Sequence, residues 1–302
     1  MKASGSFFTP TSTKALTHMS ICSLPVLFLT LVVGVLSAAD SAIKPFKPGV
    51  VSYTYREEFA VDVPGTLDKI KALGITDIEF SNLFGKTATE LRGFLDARGL
   101  TCSSFGVSYD DLLKKTDTVA LQAKTLGALF IRVAYLPGRQ PFTLEWAQKT
   151  AVEFNTIGKT LREQYGLTFC YHNHGYEFVK NGDGTLFDVL VATTEPANVS
   201  YELDILWAFL PGADPAALLT KYGNRFKLMH LKDLKKGVPH EPVSKTPRDN
   251  DVALGTGQID IPAVMRAAQQ AGVEHFYIED ESTNTATQVP ATLRYLEKLS
   301  QP

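Results

Sequence analysis

Four short stretches of this sequence set metal-binding and proton-carrying side chains at the end of an apolar run. They are Tyr171-His172-Asn173-His174-Gly175-Tyr176-Glu177, Glu202-Leu203-Asp204, His230-Leu231-Lys232-Asp233 and Glu279-Asp280-Glu281. Imidazole nitrogens and carboxylate oxygens from separate strands suit Zn²⁺, Mn²⁺ or a similar divalent ion. A carboxylate or imidazole beside such an ion can take a proton from carbon and return it. Each stretch alone is weak evidence, because a single carboxylate at a loop start is commonly a helix cap. Their recurrence is the signal. Of six histidines, His172, His174 and His230 all fall at such ends, where Asp204 and Glu279 would join them. His240 lies in a long loop and His275 begins a strand at the opposite end, so neither belongs to the set.

For these residues to meet, the segments that carry them must run side by side in one direction. Short runs rich in β-branched and aromatic residues predict strands at 50–55, 77–81, 101–105, 128–134, 167–172, 199–204, 226–230 and 275–279. Between and after them, apolar residues at three- and four-residue steps, as in Leu67, Ile70 and Leu73, predict helices. These cover 64–73, 87–97, 115–126, 144–164, 184–193, 213–222, 261–271 and 287–299. Gly74, Gly99, Gly127, Gly166 and Gly272 each stand between a helix and the next strand, where a left-handed cap is wanted. Eight strand–helix repeats without a linker predict an α/β fold, a single-domain (β/α)₈ TIM barrel over residues 40–302. A doubly wound sheet would carry a glycine-rich first turn, and Arg56-Glu57-Glu58 after Tyr55 has none. The longest connection, 231–258, is rich in Pro, Gly and charge and reads as an active-site rim or lid.

Composition closes off other classes. The 302 residues are 44% hydrophobic and 21% charged, ordinary for a globular protein. A formal charge of −2 argues against nucleic acid as the main partner, which would call for a basic excess. Three cysteines rule out a disulfide-stapled scaffold; Cys102 and Cys170, in apolar strand-like segments, read as buried thiols. Lys2, Lys14 and His18 precede an uncharged apolar run over 23–39 that ends in Ser37-Ala38-Ala39. That pattern predicts a secretory signal peptide at 1–39, cleaved after Ala39, hence a periplasmic or secreted protein with no membrane contact after cleavage.

At the residues quoted above the chain resembles the sugar phosphate isomerase/epimerase family, the xylose-isomerase-like TIM barrels. The resemblance runs from about Gly49 to Leu299 and includes Leu254-Gly255-Thr256-Gly257-Gln258-Ile259-Asp260 and Tyr277-Ile278-Glu279-Asp280. It implies one divalent metal ion (Mn, Zn, Co or Mg) held by residues from strands five to eight. Asp204, His230 and Glu279 match the last three ligand positions. At the first, where many relatives read Glu-Asn-His, this chain reads His172-Asn173-His174, so His172, or Glu177 swinging in, is the fourth ligand. The substitution removes one carboxylate of the family's paired-glutamate proton shuttle.

The resemblance implies an isomerase, epimerase or lyase acting on a carbonyl sugar or keto-glycoside through an enediolate-like intermediate. Glu279 and Glu177 are the acid/base candidates. His174 and Lys232 would hold substrate oxygens, Trp207 would wall the sugar face, and Glu79 and Arg132 are charges in strands that either face the substrate or pair inside the barrel. An exported member is expected to take a small free sugar, not a sugar phosphate, and self-association into a homo-oligomer is left open. The alternative is a non-catalytic carbohydrate-binding barrel that keeps the aromatic wall without needing metal.

Overall fold

A computed structural model of the chain describes residues 42–241, 243 and 245–301. The expected signal peptide, 1–39, lies outside the described residues. Eight parallel strands form a closed barrel in sequential order. They are β1 (Gly49–Val51), β2 (Asp77–Phe80), β3 (Thr101–Gly106), β4 (Phe130–Val133), β5 (Thr168–His172), β6 (Val199–Asp204), β7 (Phe226–Leu231) and β8 (His275–Ile278). The helices around it are α1 (Arg56–Val61), α2 (Val63–Ala72), α3 (Ala88–Asp96), α4 (Tyr109–Lys114), α5 (Thr116–Leu126), α6 (Leu144–Thr160), α7 (Leu186–Thr193), α8 (Ile205–Phe209), α9 (Pro215–Tyr222), α10 (Ile261–Ala271) and α11 (Thr285–Leu299). Among the described residues no helix is long and apolar enough to cross a membrane.

Local chemistry sets most boundaries. Thr87 and Glu90 close a capping box on α3, and Asp260 accepts from Ala263 N at the start of α10, whose end falls at Gly272 in the left-handed region. The first strand is shorter than the predicted 50–55. Ser52 Oγ accepts from Ser81 N, and Thr54 Oγ1 accepts from Asp280 N, which draws Ser52–Tyr55 into a 3₁₀ turn. Helices α1, α4 and α8 are five or six residues long, too short to show a period in the sequence. The predicted helix over 184–193 begins two residues later, since Gly184–Thr185 pairs in a small hairpin and Thr185 caps α7.

Two apolar layers hold the barrel. The larger lies between strands and helices; the smaller is inside, where Val51, Phe130, Cys170, Leu228 and Tyr277 form a separate buried cluster. Gly49 makes room for it, because a Cβ there would stand 2.8 Å from the Tyr277 ring. Cys102 and Cys170 are both buried and unpaired. The long connection after β7 is tied down by Asp233, whose carboxylate accepts from the backbone N–H of Leu234, Gly255, Gly257 and Ile259 at 2.9–3.2 Å. A side chain at Gly257 would collide with that carboxylate, its Cβ 2.2 Å from Asp233 Oδ1. Anchored in this way, the connection brings residues 245–248 and Asp251 to the barrel mouth.

Candidate active site

Along the strands, every second side chain points into the barrel, and those inward positions change from apolar to ionisable toward the carboxyl ends. Cys170 is followed by His172, Ser200 by Glu202 and Asp204, Leu228 by His230, and Tyr277 by Glu279. Register aligns them: His172 pairs with Glu202, and His230 pairs with both Asp204 and Tyr277. Asn173 locks two strands together, donating from Nδ2 to Asp204 O (3.2 Å) and accepting from Asp204 N (3.0 Å).

His172, Asp204, His230 and Glu279, all buried, each offer one donor atom within 4.8 Å of the others. His172 Nε2 lies 3.0 Å from His230 Nδ1 and 3.4 Å from Asp204 Oδ2; His230 Nδ1 is 3.1 Å from Glu279 Oε2. Asp204 Oδ1 accepts from Trp207 N and caps α8, while Asp204 Oδ2 is buried without a hydrogen bond. Two imidazoles and two carboxylates, one of them with an orphaned oxygen, fit a divalent cation. The structure thus brings His172 to the cluster and leaves Glu177 out of it.

Lys232 borders the same point. Its Nζ donates to Glu279 Oε2 (3.0 Å) and Glu281 Oε1 (2.5 Å), lies 3.6 Å from Asp204 Oδ2 and sits 5.5 Å over the Trp207 ring. Burial would lower its pKa, but Glu279, Glu281 and Asp204 push it well above the usual lysine range. In turn, burial would raise Glu279 and Asp204, yet Lys232 and the histidines hold both well below the usual carboxylate range.

Beneath this cluster lies a second buried layer of charge. Arg132 donates to Glu79 Oε1 from Nε (3.0 Å) and Nη2 (2.6 Å), and its Nε is 3.3 Å from Glu202 Oε2. His230 Nε2 lies 2.9 Å from Glu79 Oε1 and 3.2 Å from Glu202 Oε2. Carboxylates accept, so the Nε2 hydrogen is fixed on this layer and Nδ1 is the atom turned to the cluster. Burial would raise Glu79, but Arg132 and His230 draw it far down; burial and the Glu79 charge push Glu202 up. Glu79 was expected either to meet substrate or to pair; it pairs, fully buried and away from the cavity wall. The sequence reading quoted Glu202 beside Asp204 at the end of the sixth strand but gave it no role, although its place two residues before Asp204 put it on the same inward face.

Above the cluster opens a cavity of about 820 Å³. One wall is aromatic and apolar: Ala134, Tyr135, His174, Leu206 and Trp207. The other carries Arg56, Ser81, Asn82, Lys245, Thr246 and Arg248. His172, His230, Lys232, Glu279, Arg132 and Glu281 line its depth. The His174 ring stacks on Tyr176 (5.7 Å between centroids, 7° apart) and lies 5.5 Å from Trp207. Burial, with His172 beside it, lowers its pKa to about 3, so it presents a neutral imidazole.

Glu177 lies apart from these residues. It does not line the cavity; Tyr171 donates to its Oε1, and His174 N donates to Oε2 (3.0 Å). Tyr171 has the outward parity of β5 and packs 4.8 Å from Phe154 of α6, so Glu177 is held on the helix side of the strand. Sequence distance showed that Glu177 could reach the site but not which side of the strand the turn at Tyr176–Phe178 would take.

Residues 67–299 match the family model of the xylose isomerase-like TIM barrel. The chain is 24% identical over 257 residues to an inosose dehydratase of Geobacillus kaustophilus, covering 74% of this chain and 80% of that one. Another inosose dehydratase, from Lacticaseibacillus casei, is 23% identical, covering 74% and 83%. Among solved structures, a sugar phosphate isomerase/epimerase from Parabacteroides distasonis superposes with a TM-score of 0.68 at 23% identity, covering 87% and 96%. The IolI protein with a bound zinc atom gives 0.64 at 15%, covering 84% and 96%.

Proposed function

The chain belongs to the xylose isomerase-like TIM-barrel family, and from that premise we propose that it is a divalent-metal-dependent enzyme acting on a carbonyl sugar or keto-glycoside. One observation carries the reading: four buried donor atoms, from His172, Asp204, His230 and Glu279, within 4.8 Å of one another on the floor of a cavity. The zinc atom of the IolI protein and the dehydratase and epimerase names of the relatives support it.

When bound there, a divalent ion would polarise neighbouring carbonyl and hydroxyl oxygens of the sugar and make the carbon between them more acidic. The residues then divide the work. Glu279, held ionised by Lys232, takes the proton. Lys232, charged and 3.0 Å from Glu279, stabilises negative charge developing on the substrate oxygen. His174, neutral, orients a hydroxyl, and Trp207 offers its ring to the sugar face. Arg132 acts from below through Glu79 and His230. Return of the proton to either carbon gives epimerisation or isomerisation; departure of a β-oxygen substituent gives elimination. Export completes the reading and rests on the apolar run ending at Ala39.

The metal content of residues 40–302, purified without chelator, tests this beside an Asp204→Ala/His230→Ala variant. Near-stoichiometric Mn, Zn or Co in the parent and its loss in the variant are expected. A parent that stays empty after incubation with excess Mn²⁺ or Zn²⁺ overturns the reading. A carbohydrate-binding barrel without catalysis is the second reading, favoured by the placement of Glu177 outside the cavity. Glu279→Gln separates the two: an enzyme loses turnover of a keto-sugar while remaining folded.

A further inference from the structure

The cavity is larger than one sugar ring needs. At about 820 Å³ it stands in the upper part of the roughly 300–1,000 Å³ range of sites that enclose drug-sized ligands. A ring seated on the floor against Trp207 and His174 leaves the opposite wall free to meet whatever the ring carries.

That wall has an excess of positive charge. The carboxylates lining the cavity, Asp251, Glu279 and Glu281, are grouped on Lys232: its Nζ donates to Glu279 and Glu281, and the Asp251 carboxyl feels the same charge. Arg248 has Glu57 as its acid, 3.1 Å away, and otherwise donates to the carbonyls of Glu281 and Ser282. Arg56 and Lys245 have no carboxylate partner among the described residues. Arg56 donates from Nη1 to Tyr53 O (2.9 Å), and its guanidinium lies 4.4 Å over the Tyr53 ring. A guanidinium held over an aromatic ring with one donor engaged keeps the others for a ligand and has lost part of its freedom before binding.

The geometry points to a second subsite, built from Arg56, Tyr53 and Lys245, that takes an anionic substituent attached to the sugar: a carboxylate or sulfate. This rests on the carbonyl-sugar reading of the floor and deepens it. The substrate is then an acidic, two-part molecule: a ring on the Trp207 side and an anion on the Arg56 side.

Calorimetric titration of the purified protein tests it with pairs that differ in charge. D-Glucuronate and D-glucose 6-sulfate are each compared with D-glucose, and lactobionate with lactose for a longer reach. At least one anion should bind about tenfold or more tightly than its neutral partner, as a charge-assisted hydrogen bond allows. The preference should vanish in Arg56→Met/Lys245→Met with metal content unchanged. Which anion wins names the substituent. Equal binding within every pair, or a preference that survives the double substitution, overturns the subsite. The two readings fail separately. Metal bound without anion preference breaks only this inference, and anion preference in a protein that takes up no metal breaks only the reading of the floor.

Discussion

The barrel interior contains two layers built by the same strands in opposite ways. In one, Val51, Phe130, Cys170, Leu228 and Tyr277 fill space with apolar volume and need nothing further. Two residues on from Cys170, Leu228 and Tyr277, the same inward faces present His172, His230 and Glu279. There Asp204 Oδ2 and His172 Nδ1 are buried with no hydrogen bond. An unpaired buried polar atom is costly, so a fold that keeps several together is maintaining them for something other than stability. The lower layer holds the barrel closed and the upper layer uses the closure. Between them, Glu79 and Arg132 are charged like the upper layer but paired like a structural one, while Glu202 shares its ion-pair contacts with Arg132 and His230 and keeps both carboxylate oxygens buried without a hydrogen bond.

That contrast is most exposed to attack at the middle layer. Arg132→Met leaves the ionised Glu79 without its guanidinium, and removing one member of a buried pair costs about 3–5 kcal/mol. Chemical denaturation should show that loss, and a triple variant Arg132→Met/Glu79→Gln/Glu202→Gln should recover much of it, since no charge is then stranded. Stability unaffected by Arg132→Met would mean that the layer is not held by this pair. In the apolar layer, Leu228→Ala should cost about 2–5 kcal/mol by opening a cavity, with metal uptake unchanged. If metal uptake falls equally, the two layers are one unit and the comparison fails. Glu79→Gln removes the charge that fixes His230 Nε2, and partners of this kind are worth about 10–100-fold in metal affinity. Titration with Zn²⁺ reads the affinity, and ¹⁵N shifts of His230 read the tautomer; both unchanged would make Glu79 purely structural.

The same parity explains what the sequence could reveal. Period-two alternation places Cys170 and His172, or Leu228 and His230, on one face, so a strand that turns polar at its end announces an inward site without any structure. His172, Asp204, His230 and Glu279 were legible on those terms. Glu202 was equally legible, quoted in the same stretch as Asp204, and was given no role because only Asp204 matched a ligand position. Outside the strands the rule has no purchase. Whether Glu79 faced substrate or Arg132 depended on depth in the barrel, which spacing alone does not give. Tyr135 and Lys245 reach the cavity from loops, and Arg56 from the first residue of the six-residue α1, segments whose course is set by tertiary contacts such as the Asp233 anchor.

Glu177 sharpens the point from the other face of β5. Burial pushes its carboxyl up to about 8, against hydrogen bonds from Tyr171 and His174 N that favour the charged form. In the unfolded chain an ordinary glutamate loses its proton near pH 4.3, so between there and about pH 8 the folded form binds one proton more. Stability therefore falls as pH rises through that window, by about 1.4 kcal/mol for each unit. Glu177→Gln, neutral in both states, removes this contribution. From about pH 6 to about pH 7 the difference in unfolding free energy between parent and variant should shift by about 1.4 kcal/mol in favour of the variant at the higher pH. Parallel profiles would mean that Glu177 is ionised in the folded protein and has found a positive partner or water. That result would return it to consideration as the acid or base that the cavity otherwise takes from Glu279.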